Sequence, residues 1–279
     1  MESPALVVVG IGIRVIGHLT TEGIAWINTS KKVLYLAHDP VACAIIAQMN
    51  PSAESLAGFY AEGRLRSESY QRMVGRVMEC VRSGQQTCLV FYGHPGVFCW
   101  PGHEAIRQAR REGYTARMLP GISAEDCLFA DLGVDPATTG CQSYQATDFL
   151  SNDRQIDSSS LLILWQIDVI GIPVLKTKRG KLPALPLLVD RLCQIYSPDH
   201  EVILYIAPIQ LFGEPIIQRL PLRRLVKARL FSSSTLCIPP GEPTKPNVEL
   251  YRRPNLPLPE EKDKPKKAQR KVRTGRSPL

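Results

Sequence analysis

The chain has 279 residues, of which 44% are hydrophobic and 22% charged, and it carries a formal net charge of +8. This composition excludes a collagen-like repeat, a coiled coil and global disorder, and the length suits one large or two medium domains. No apolar run approaches the roughly 18 residues of a membrane span, and the first residues lack the positive region of a secretory signal. We therefore expect a cytoplasmic protein.

The first 119 residues alternate between apolar runs and helical patterns, as in a chain whose strands are buried on both faces. The predicted strands are 5–12, 33–37, 87–92 and 115–119, and the predicted helices are 19–29, 42–49, 67–82 and 102–112. Strands that alternate with helices predict a parallel α/β sheet with right-handed crossovers.

The pattern starts again after Pro120-Gly121. Ser123 and Asp126 have the spacing of a capping box and predict a helix that runs to Leu132. Further on we predict strands at 160–166, 201–207 and 233–238, and a helix at 187–196. The sequence therefore predicts two α/β domains, 1–119 and 120–245, with a cleft between them.

The positive charge is concentrated in the last part of the sequence. Ten Lys or Arg and three Asp or Glu lie between Arg252 and Leu279, so the rest of the chain is close to neutral. A nucleic-acid-binding face on the folded part is therefore not supported. Because prolines and charges dominate beyond Pro240, we expect 246–279 to be a disordered basic tail.

Eight cysteines are spread along the chain without any CxxC spacing. A zinc site would need clustered Cys and His, so we expect reduced thiols and no metal.

Two glycine-containing segments lie at the ends of predicted strands. Gly10-Ile-Gly12 does not extend to GxGxxG, so a dinucleotide-binding fold is not supported. Either it is a strand–helix turn that needs glycine, or it lets the backbone approach a ligand closely. The second loop, Tyr92-Gly-His-Pro-Gly-Val-Phe98, has more glycine and proline than a tight turn needs. It predicts a loop that presents backbone groups to a small ligand, with His94 and Phe98 as walls.

Together with Leu119-Pro-Gly-Ile-Ser-Ala-Glu-Asp-Cys127, these loops resemble the tetrapyrrole-methylase superfamily of S-adenosylmethionine (SAM)-dependent methyltransferases. Its corrin and porphyrin methylases usually carry Asp where this chain has His94. The form with histidine resembles the borosin peptide α-N-methyltransferases, which methylate backbone amide nitrogens. The resemblance covers about residues 5–240, and its other motifs are Phe59-Tyr60, Arg66-x-x-x-Tyr70, Ala130-Asp-Leu-Gly-Val-Asp-Pro136, Trp165-Gln166, Asp199-His200, Tyr205-Ile-Ala207 and Ser234-Thr235.

The resemblance implies two α/β domains of the class III SAM methyltransferase type, with SAM in the inter-domain cleft and S-adenosylhomocysteine as product. It also implies a homodimer that binds two precursor chains. Carried over position by position, it implies SAM contacts at Tyr92, His94, Val97, Ala124, Gln166, Tyr205, Ala207, Ser234 and Thr235. It implies a catalytic group at Tyr60, Arg66 and Tyr70, with Tyr92 nearby.

These residue types suit methylation of a peptide nitrogen, whose lone pair is delocalised into the carbonyl. The reaction needs removal of the N–H proton and stabilisation of the oxygen that becomes imidate-like. Arg66 and Tyr70 share a face if the helix reaches back to Arg66, and a nearby guanidinium favours a phenolate. Our hypothesis is that Tyr70 takes the proton while Tyr60 or Tyr92 donates to the carbonyl. The alternative without a catalytic role is that Arg66 and Tyr70 form an ordinary cation–aromatic pair on the surface.

The chain departs from the best-known borosin enzymes, in which a helical clasp and an apolar core peptide follow the methyltransferase domain. Neither is found after Pro240. We therefore expect the split type, which acts on a separate precursor peptide, and the basic tail could recruit an acidic precursor. One alternative is a methylase of a tetrapyrrole or another small molecule, against which His94 and the Arg66/Tyr70 pair argue. Another is a peptide-binding protein that has lost catalysis.

Overall fold

The computed structural model describes residues 4–14, 17–175 and 182–242, together with positions 244, 247 and 249. Residues Met1–Gly241 cluster into one unit and Glu242–Leu279 into a second. The predicted tail, 246–279, lies outside the described residues except for two positions. Within the described ranges, no helix is long and apolar enough to cross a membrane.

The first half of the larger unit is built on a five-stranded parallel sheet in the order β3-β2-β4-β1-β5. Its elements are β1 (Leu6–Gly10), α1 (Thr21–Thr29), β2 (Lys32–Leu36), α2 (Pro40–Met49), β3 (Glu54–Ser55), α3 (Arg66–Arg82), β4 (Thr87–Phe91), α4 (Trp100–Arg111) and β5 (Ala116–Met118), with a 3₁₀ turn at Ala57–Phe59. The predicted parallel sheet is confirmed, and the two-residue strand β3 is an addition to it.

Alternate residues of these strands face opposite layers of helices, which explains why the strands are continuous apolar runs. Leu6 and Val8 of β1 pack in the cluster that includes α3 and α4. Val7 and Val9 pack in the other cluster, with Ile27 of α1 and Ile46 of α2. The sheet therefore has a core on each face.

The second half has its own five-stranded sheet in the order β6-β7-β10-β8-β9. Its elements are α5 (Ala124–Leu132), α6 (Pro136–Thr139), β6 (Cys141–Gln145), α7 (Ala146–Ser151), β7 (Leu161–Trp165), α8 (Ala184–Cys193), β8 (Glu201–Ile206), β9 (Ile216–Pro221) and β10 (Thr235–Ile238), with 3₁₀ turns at Ile167–Val169 and Leu222–Lys227. Strands β6 and β7 are parallel, whereas β10 is antiparallel to β7 and β8, and β9 is antiparallel to β8.

The second sheet also separates two cores. Leu162 and Leu164 face the cluster that contains α8, whereas Ile163 and Trp165 pack with Leu128 of α5. The predicted capping box of α5 is present: the Ser123 hydroxyl accepts from the Asp126 N–H, and Asp126 Oδ2 accepts from the Ser123 N–H at 2.7 Å. The α/β class with two sheets is confirmed. The division into domains at 119/120 stays a prediction.

All eight cysteines are free thiols, and Cys80, Cys88 and Cys237 are buried. In the described part of the chain, no group of three or more His, Cys, Asp or Glu is placed to hold a metal ion.

Candidate active site

Four glycines from three separate segments meet at the carboxyl edge of the first sheet. A Cβ atom on Gly10 would lie 2.2 Å from the Gly93 carbonyl oxygen, and one on Gly121 would lie 3.5 Å from the Gly10 Cα. Gly12 has a φ of +70° and exchanges backbone hydrogen bonds with Gly93 at 3.0 and 3.3 Å. Gly10 must be glycine because a side chain there would meet the Gly93 backbone, and Gly12 because its φ is positive. The geometry supports the turn interpretation of Gly10-Ile-Gly12.

The loop after β4 is tied to itself and to the second sheet. His94 Nδ1 accepts a hydrogen bond from the Gly96 N–H at 2.9 Å. Val97 and Phe98 are 37% and 49% exposed. The Phe98 ring lies 5.9 Å from the Trp165 ring, at the end of β7. This contact brings the loop beside the strand end that carries Gln166.

The register of the second sheet gathers four predicted cofactor contacts at one edge. Because β10 is antiparallel to its neighbours, its start lies level with the ends of β7 and β8: Thr235 pairs with Tyr205, and Leu236 pairs with Leu164. Gln166, Ala207, Ser234 and Thr235 therefore lie at the same edge. Gln166 has a φ of +59°, and its side-chain oxygen accepts from Gln145 Nε2 at 3.3 Å.

Two of the predicted cofactor contacts have side chains that are engaged within the protein. Tyr205 is fully buried, and its hydroxyl donates to Asp131 Oδ2 at 2.7 Å. Burial and the Asp131 carboxylate raise the pKa of Tyr205. The Ser234 hydroxyl accepts from the Phe231 N–H at 2.9 Å. A ligand at this edge would therefore meet the backbone of Tyr205 and not its hydroxyl. Ala124, the first residue of α5, is joined to this edge through Asp131 of the same helix.

A cavity of about 940 Å³ contains three of the four predicted catalytic residues, Tyr60, Arg66 and Tyr70, together with Gln166. Most of the remaining wall is apolar. Its other lining residues are His38, Asp168, Val169, Ile172, Val174, Leu175, Leu182, Pro183, Leu185, Pro186, Val226, Ala228, Leu230, Ser232 and Ser233. Residues from both halves of the unit therefore enclose one space.

A short backbone ladder joins the two halves at this cavity. Leu65 and Val174 form an antiparallel bridge. The Arg66 N–H donates to the Pro173 carbonyl at 3.1 Å, and the Leu175 N–H donates to the Arg64 carbonyl at 3.1 Å. Helix α3 begins at Arg66 without a side-chain cap, so the Pro173 carbonyl satisfies an N–H group that the helix itself leaves unpaired. The position of Arg66 is thus fixed from the second half.

The two cavity tyrosines are in contact. The rings of Tyr60 and Tyr70 lie 6.3 Å apart in a T-shaped arrangement. Burial raises the pKa of Tyr60, and Tyr70 raises it further by charge and by a hydrogen bond, whereas Arg66 opposes the shift. Tyr60 is therefore a neutral phenol that can donate a hydrogen bond. Arg66 is the first residue of α3, so it lies one turn from Tyr70 on the same face.

Tyr92, the fourth predicted catalytic residue, is not among the residues that line this cavity. It is 37% exposed, and desolvation of its hydroxyl raises its pKa to about 12. Sequence reasoning missed His38, whose ring is 6.1 Å from that of Tyr60, and Trp100, which stacks on Tyr70 at 6.3 Å. His38 follows a predicted strand at the carboxyl edge, a position that could have marked it. Nothing in the sequence of 226–233 could have marked this segment as a wall of the cavity.

Comparison with known proteins identifies the family to which this fold belongs. The family described as Tetrapyrrole (Corrin/Porphyrin) Methylases matches residues 5–207. Among solved structures, uroporphyrin-III-C-methyltransferase from Thermus thermophilus superposes with a TM-score of 0.59 at 19% identity, over 88% of this chain and 94% of that one. At this low identity, the structural likeness shows only that the two proteins share a fold.

Curated relatives are closer in sequence. The methyltransferase/ribosomally synthesized cyclic peptide gymnopeptides precursor of Gymnopus fusipes is 40% identical over 259 residues, which are 91% of this chain and 62% of that protein. The methyltransferase/ribosomally synthesized type I borosin cyclic peptide precursor of Coprinopsis marcescibilis is 41% identical, over 88% of this chain and 64% of that protein. This chain thus spans less than two thirds of their length. Through the match to residues 5–207 and the two-sheet fold, it belongs to the tetrapyrrole methylase family.

Proposed function

We propose that this chain is a SAM-dependent methyltransferase that places methyl groups on backbone amide nitrogens of a ribosomal precursor peptide. The observation that carries the proposal is the meeting of Tyr60, Arg66 and Tyr70 with Gln166 around one cavity. Relatives that are about 40% identical are single proteins named as both methyltransferase and cyclic-peptide precursor. Their names support a peptide substrate.

The residues at the edge of the second sheet fit a molecule with apolar and polar parts, as SAM is. Val97 and Phe98 expose apolar surface beside the strand end that carries Gln166. Exposed apolar side chains beside a few fixed polar groups are typical of a small-molecule site. When bound, SAM would supply a methyl group activated by its sulfonium sulfur. In our proposal Tyr92, His94, Val97, Ala124, Gln166, Ala207, Ser234 and Thr235 hold it, and Tyr205 contributes its backbone.

The cavity residues then act on the peptide. Tyr60 donates its hydroxyl proton in a hydrogen bond to the substrate carbonyl oxygen, which becomes negative as the amide proton leaves. Tyr70 accepts that proton from the nitrogen, and Arg66, one turn away on α3, supplies positive charge beside it. His38 and Trp100 hold the two tyrosine rings by contact. The free nitrogen lone pair is then available to the methyl group.

The apolar wall of the cavity supports a peptide with apolar side chains. The relatives are named as methyltransferase and precursor in one protein. We propose, in contrast, that the precursor of this enzyme is a separate peptide. The homodimer binding two precursor chains is also proposed here, and light scattering after size-exclusion chromatography would check it.

The test is to incubate the purified chain with SAM and the short peptide encoded beside its gene, and to measure the intact mass of both. Mass steps of one methylene on the peptide, localised to backbone nitrogens by fragmentation, would establish the proposed reaction on a separate precursor. The same steps on the enzyme itself would show that it carries its own substrate. Bound SAM without any transfer to either chain would argue for a small-molecule substrate.

A further inference from the structure

The proposed reaction needs a proton acceptor besides Tyr70. A tyrosine is rarely ionised near neutral pH, so Tyr70 accepts the amide proton only after it has given up its own hydroxyl proton. Arg66 does not take that proton, because a guanidinium has no acceptor atom. Burial raises the pKa of Tyr60, so its hydroxyl passes a proton on but does not stay ionised. A base that takes up a proton near neutral pH must therefore complete the group.

His38 is placed to be this base. It follows strand β2 and lines the same cavity as Tyr60, Arg66 and Tyr70. Its ring centre lies 6.1 Å from that of Tyr60, and the Tyr60 ring lies 6.3 Å from that of Tyr70. His38 is an exposed residue, whereas both tyrosines are half-buried. The three rings therefore form a row that leads from the helix α3 side of the cavity to solvent.

The other titratable groups around His38 suit this role less well. Asp168 lines the cavity from the 3₁₀ turn at Ile167–Val169, but a carboxylate is a much weaker base than an imidazole. Asp39, the next residue along the chain, caps helix α2 and accepts from the Ala42 N–H at 2.9 Å. An imidazole is the side chain that takes up and releases protons near neutral pH. Among the described residues that line the cavity, His38 alone carries one.

We infer that His38 is the terminal proton acceptor of the reaction, which draws a proton from the two tyrosines and releases it to solvent. The inference rests on the proposed function. Before transfer, the Tyr60 hydroxyl proton moves to a nitrogen of His38, directly or through one water molecule, and the Tyr70 hydroxyl proton replaces it on Tyr60. Tyr70 is then a phenolate, and Tyr60 again has a proton to donate to the substrate carbonyl.

The proton count then closes over one turnover. The amide proton moves to the Tyr70 oxygen, and the electron pair of the broken N–H bond stays on the peptide nitrogen for the methyl group. Tyr70 is thereby a neutral phenol again. The imidazolium of His38 gives its proton to solvent water, which the exposed position of the residue allows. Each methyl transfer therefore releases one proton, and it leaves through His38.

The pH dependence of kcat for methylation of the precursor peptide tests this role. His38 must be neutral to accept a proton, so the unmodified enzyme should lose activity, with one-proton dependence, as the pH falls through the range in which imidazoles become protonated. His38→Phe keeps an aromatic ring beside Tyr60 but removes the acceptor. Its kcat should be about 10²-fold lower at neutral pH and should keep rising towards a pH of about 10, where tyrosines ionise without help. An unchanged kcat and pH profile would overturn the inference.

His38→Ala separates proton transfer from packing. Because His38 is exposed, added imidazole can enter the space left by the side chain and should raise kcat by about tenfold or more. Calorimetric titration should give the same Kd for SAM as in the unmodified enzyme, which shows that the variant is folded. A variant that binds SAM normally, has lost turnover and does not respond to imidazole would show that His38 only packs against Tyr60, and would refute the inference.

His200→Phe is the matched control. It also replaces an imidazole by a phenyl ring, but His200 bonds to the Pro239 carbonyl at 2.9 Å and is not among the described residues that line the cavity. It should keep the loss of activity in acid and should not respond to imidazole. If the unmodified enzyme does not methylate the peptide at any pH, the proposed function is overturned. Normal methylation with the same pH profile in His38→Phe overturns this inference alone.

Discussion

The hydroxyl of Tyr205 donates a 2.7 Å hydrogen bond to Oδ2 of Asp131 and thereby joins strand β8 to helix α5. Both elements carry proposed SAM contacts: Ala124 is the first residue of α5, and Ala207 follows β8. Because Tyr205 is fully buried, this bond holds helix and strand in one fixed relation.

Tyr205→Phe should therefore weaken SAM binding and lower the free energy of unfolding by about 1–3 kcal/mol, because Asp131 loses its donor. Calorimetric titration with SAM and urea unfolding measure the two effects. Tyr196→Phe is the matched control, since the Tyr196 hydroxyl is buried without a hydrogen-bond partner among the described residues. Its removal should be close to neutral. Equal losses in both variants would contradict the role given to the Tyr205–Asp131 bond.

Tyr70→Phe should lower kcat for peptide methylation by about 10²–10⁴-fold, because the proposed proton acceptor is removed. The Kd for SAM should stay the same. Tyr60→Phe should lower kcat by about 10²–10³-fold through loss of the donor to the substrate oxygen. Single-turnover mass spectrometry measures these rates, with Tyr196→Phe as the variant that keeps full activity. Normal turnover of Tyr70→Phe would remove it from the mechanism.

Gly10→Ala should lower the free energy of unfolding by about 3 kcal/mol, since the new Cβ would lie 2.2 Å from the Gly93 carbonyl oxygen. Gly75→Ala provides the contrast: Gly75 lies inside α3, and a Cβ there meets nothing within 4 Å. That substitution should stabilise the protein by about 1 kcal/mol through helix propensity. Urea unfolding of both variants measures the difference, and a tolerated Gly10→Ala would show that the three glycine loops can separate.

Glu54 anchors β3 to its neighbours, since its two carboxylate oxygens accept from Arg76 at 2.8 Å each and Lys32 lies 2.7 Å away. The Arg76 hydrogen bonds, and then Lys32, lower the pKa of Glu54 to about 2. A lowered pKa in the folded state contributes stability above the ordinary value of 4.5, and this contribution is lost as the pH falls from 4.5 through 2.

Glu54→Gln should therefore lower the free energy of unfolding by about 1 kcal/mol at neutral pH, and the difference from the unmodified protein should vanish towards pH 2. Urea unfolding across this range measures it. Glu201→Gln removes a more exposed single pair with Arg219 and should cost less at neutral pH. A gap between Glu54→Gln and the unmodified protein that widens in acid would refute the role of the ion pair.

The first sheet could be predicted closely because its strands are buried on both faces and read as unbroken apolar runs, such as Leu6–Gly10. The second sheet was harder. Strand Ile216–Pro221 lies at the edge with mostly exposed residues, and Cys141–Gln145 has only partly buried ones. Neither has the apolar run that marks a strand. The strand directions in this second sheet were not predicted either. A buried apolar run such as Leu161–Trp165 has the same sequence pattern in parallel and in antiparallel pairing.

The site shows the same contrast. The spacing of Arg66 and Tyr70 predicts a shared helix face, and the structure starts α3 at Arg66. His38 and Trp100 were missed because their contacts with the tyrosines depend on tertiary packing. The engagement of Tyr205 with Asp131 could not be predicted, since the two residues are 74 positions apart. Sequence motifs thus predict which segments meet, whereas the packing decides which atoms are free.

The ladder between Arg66 and Pro173 also has a consequence for how the protein is made. Chains emerge from the ribosome amino end first, and local units fold as they appear. Tyr60, Arg66 and Tyr70 are synthesised early, but the carbonyl that receives the Arg66 N–H and the wall that ends at Ser233 come much later. A nascent chain therefore displays its proposed catalytic side chains on an open surface for most of its synthesis. Only a nearly finished unit brings the opposite wall of the cavity to them, so the proposed active site is assembled in one late step of translation.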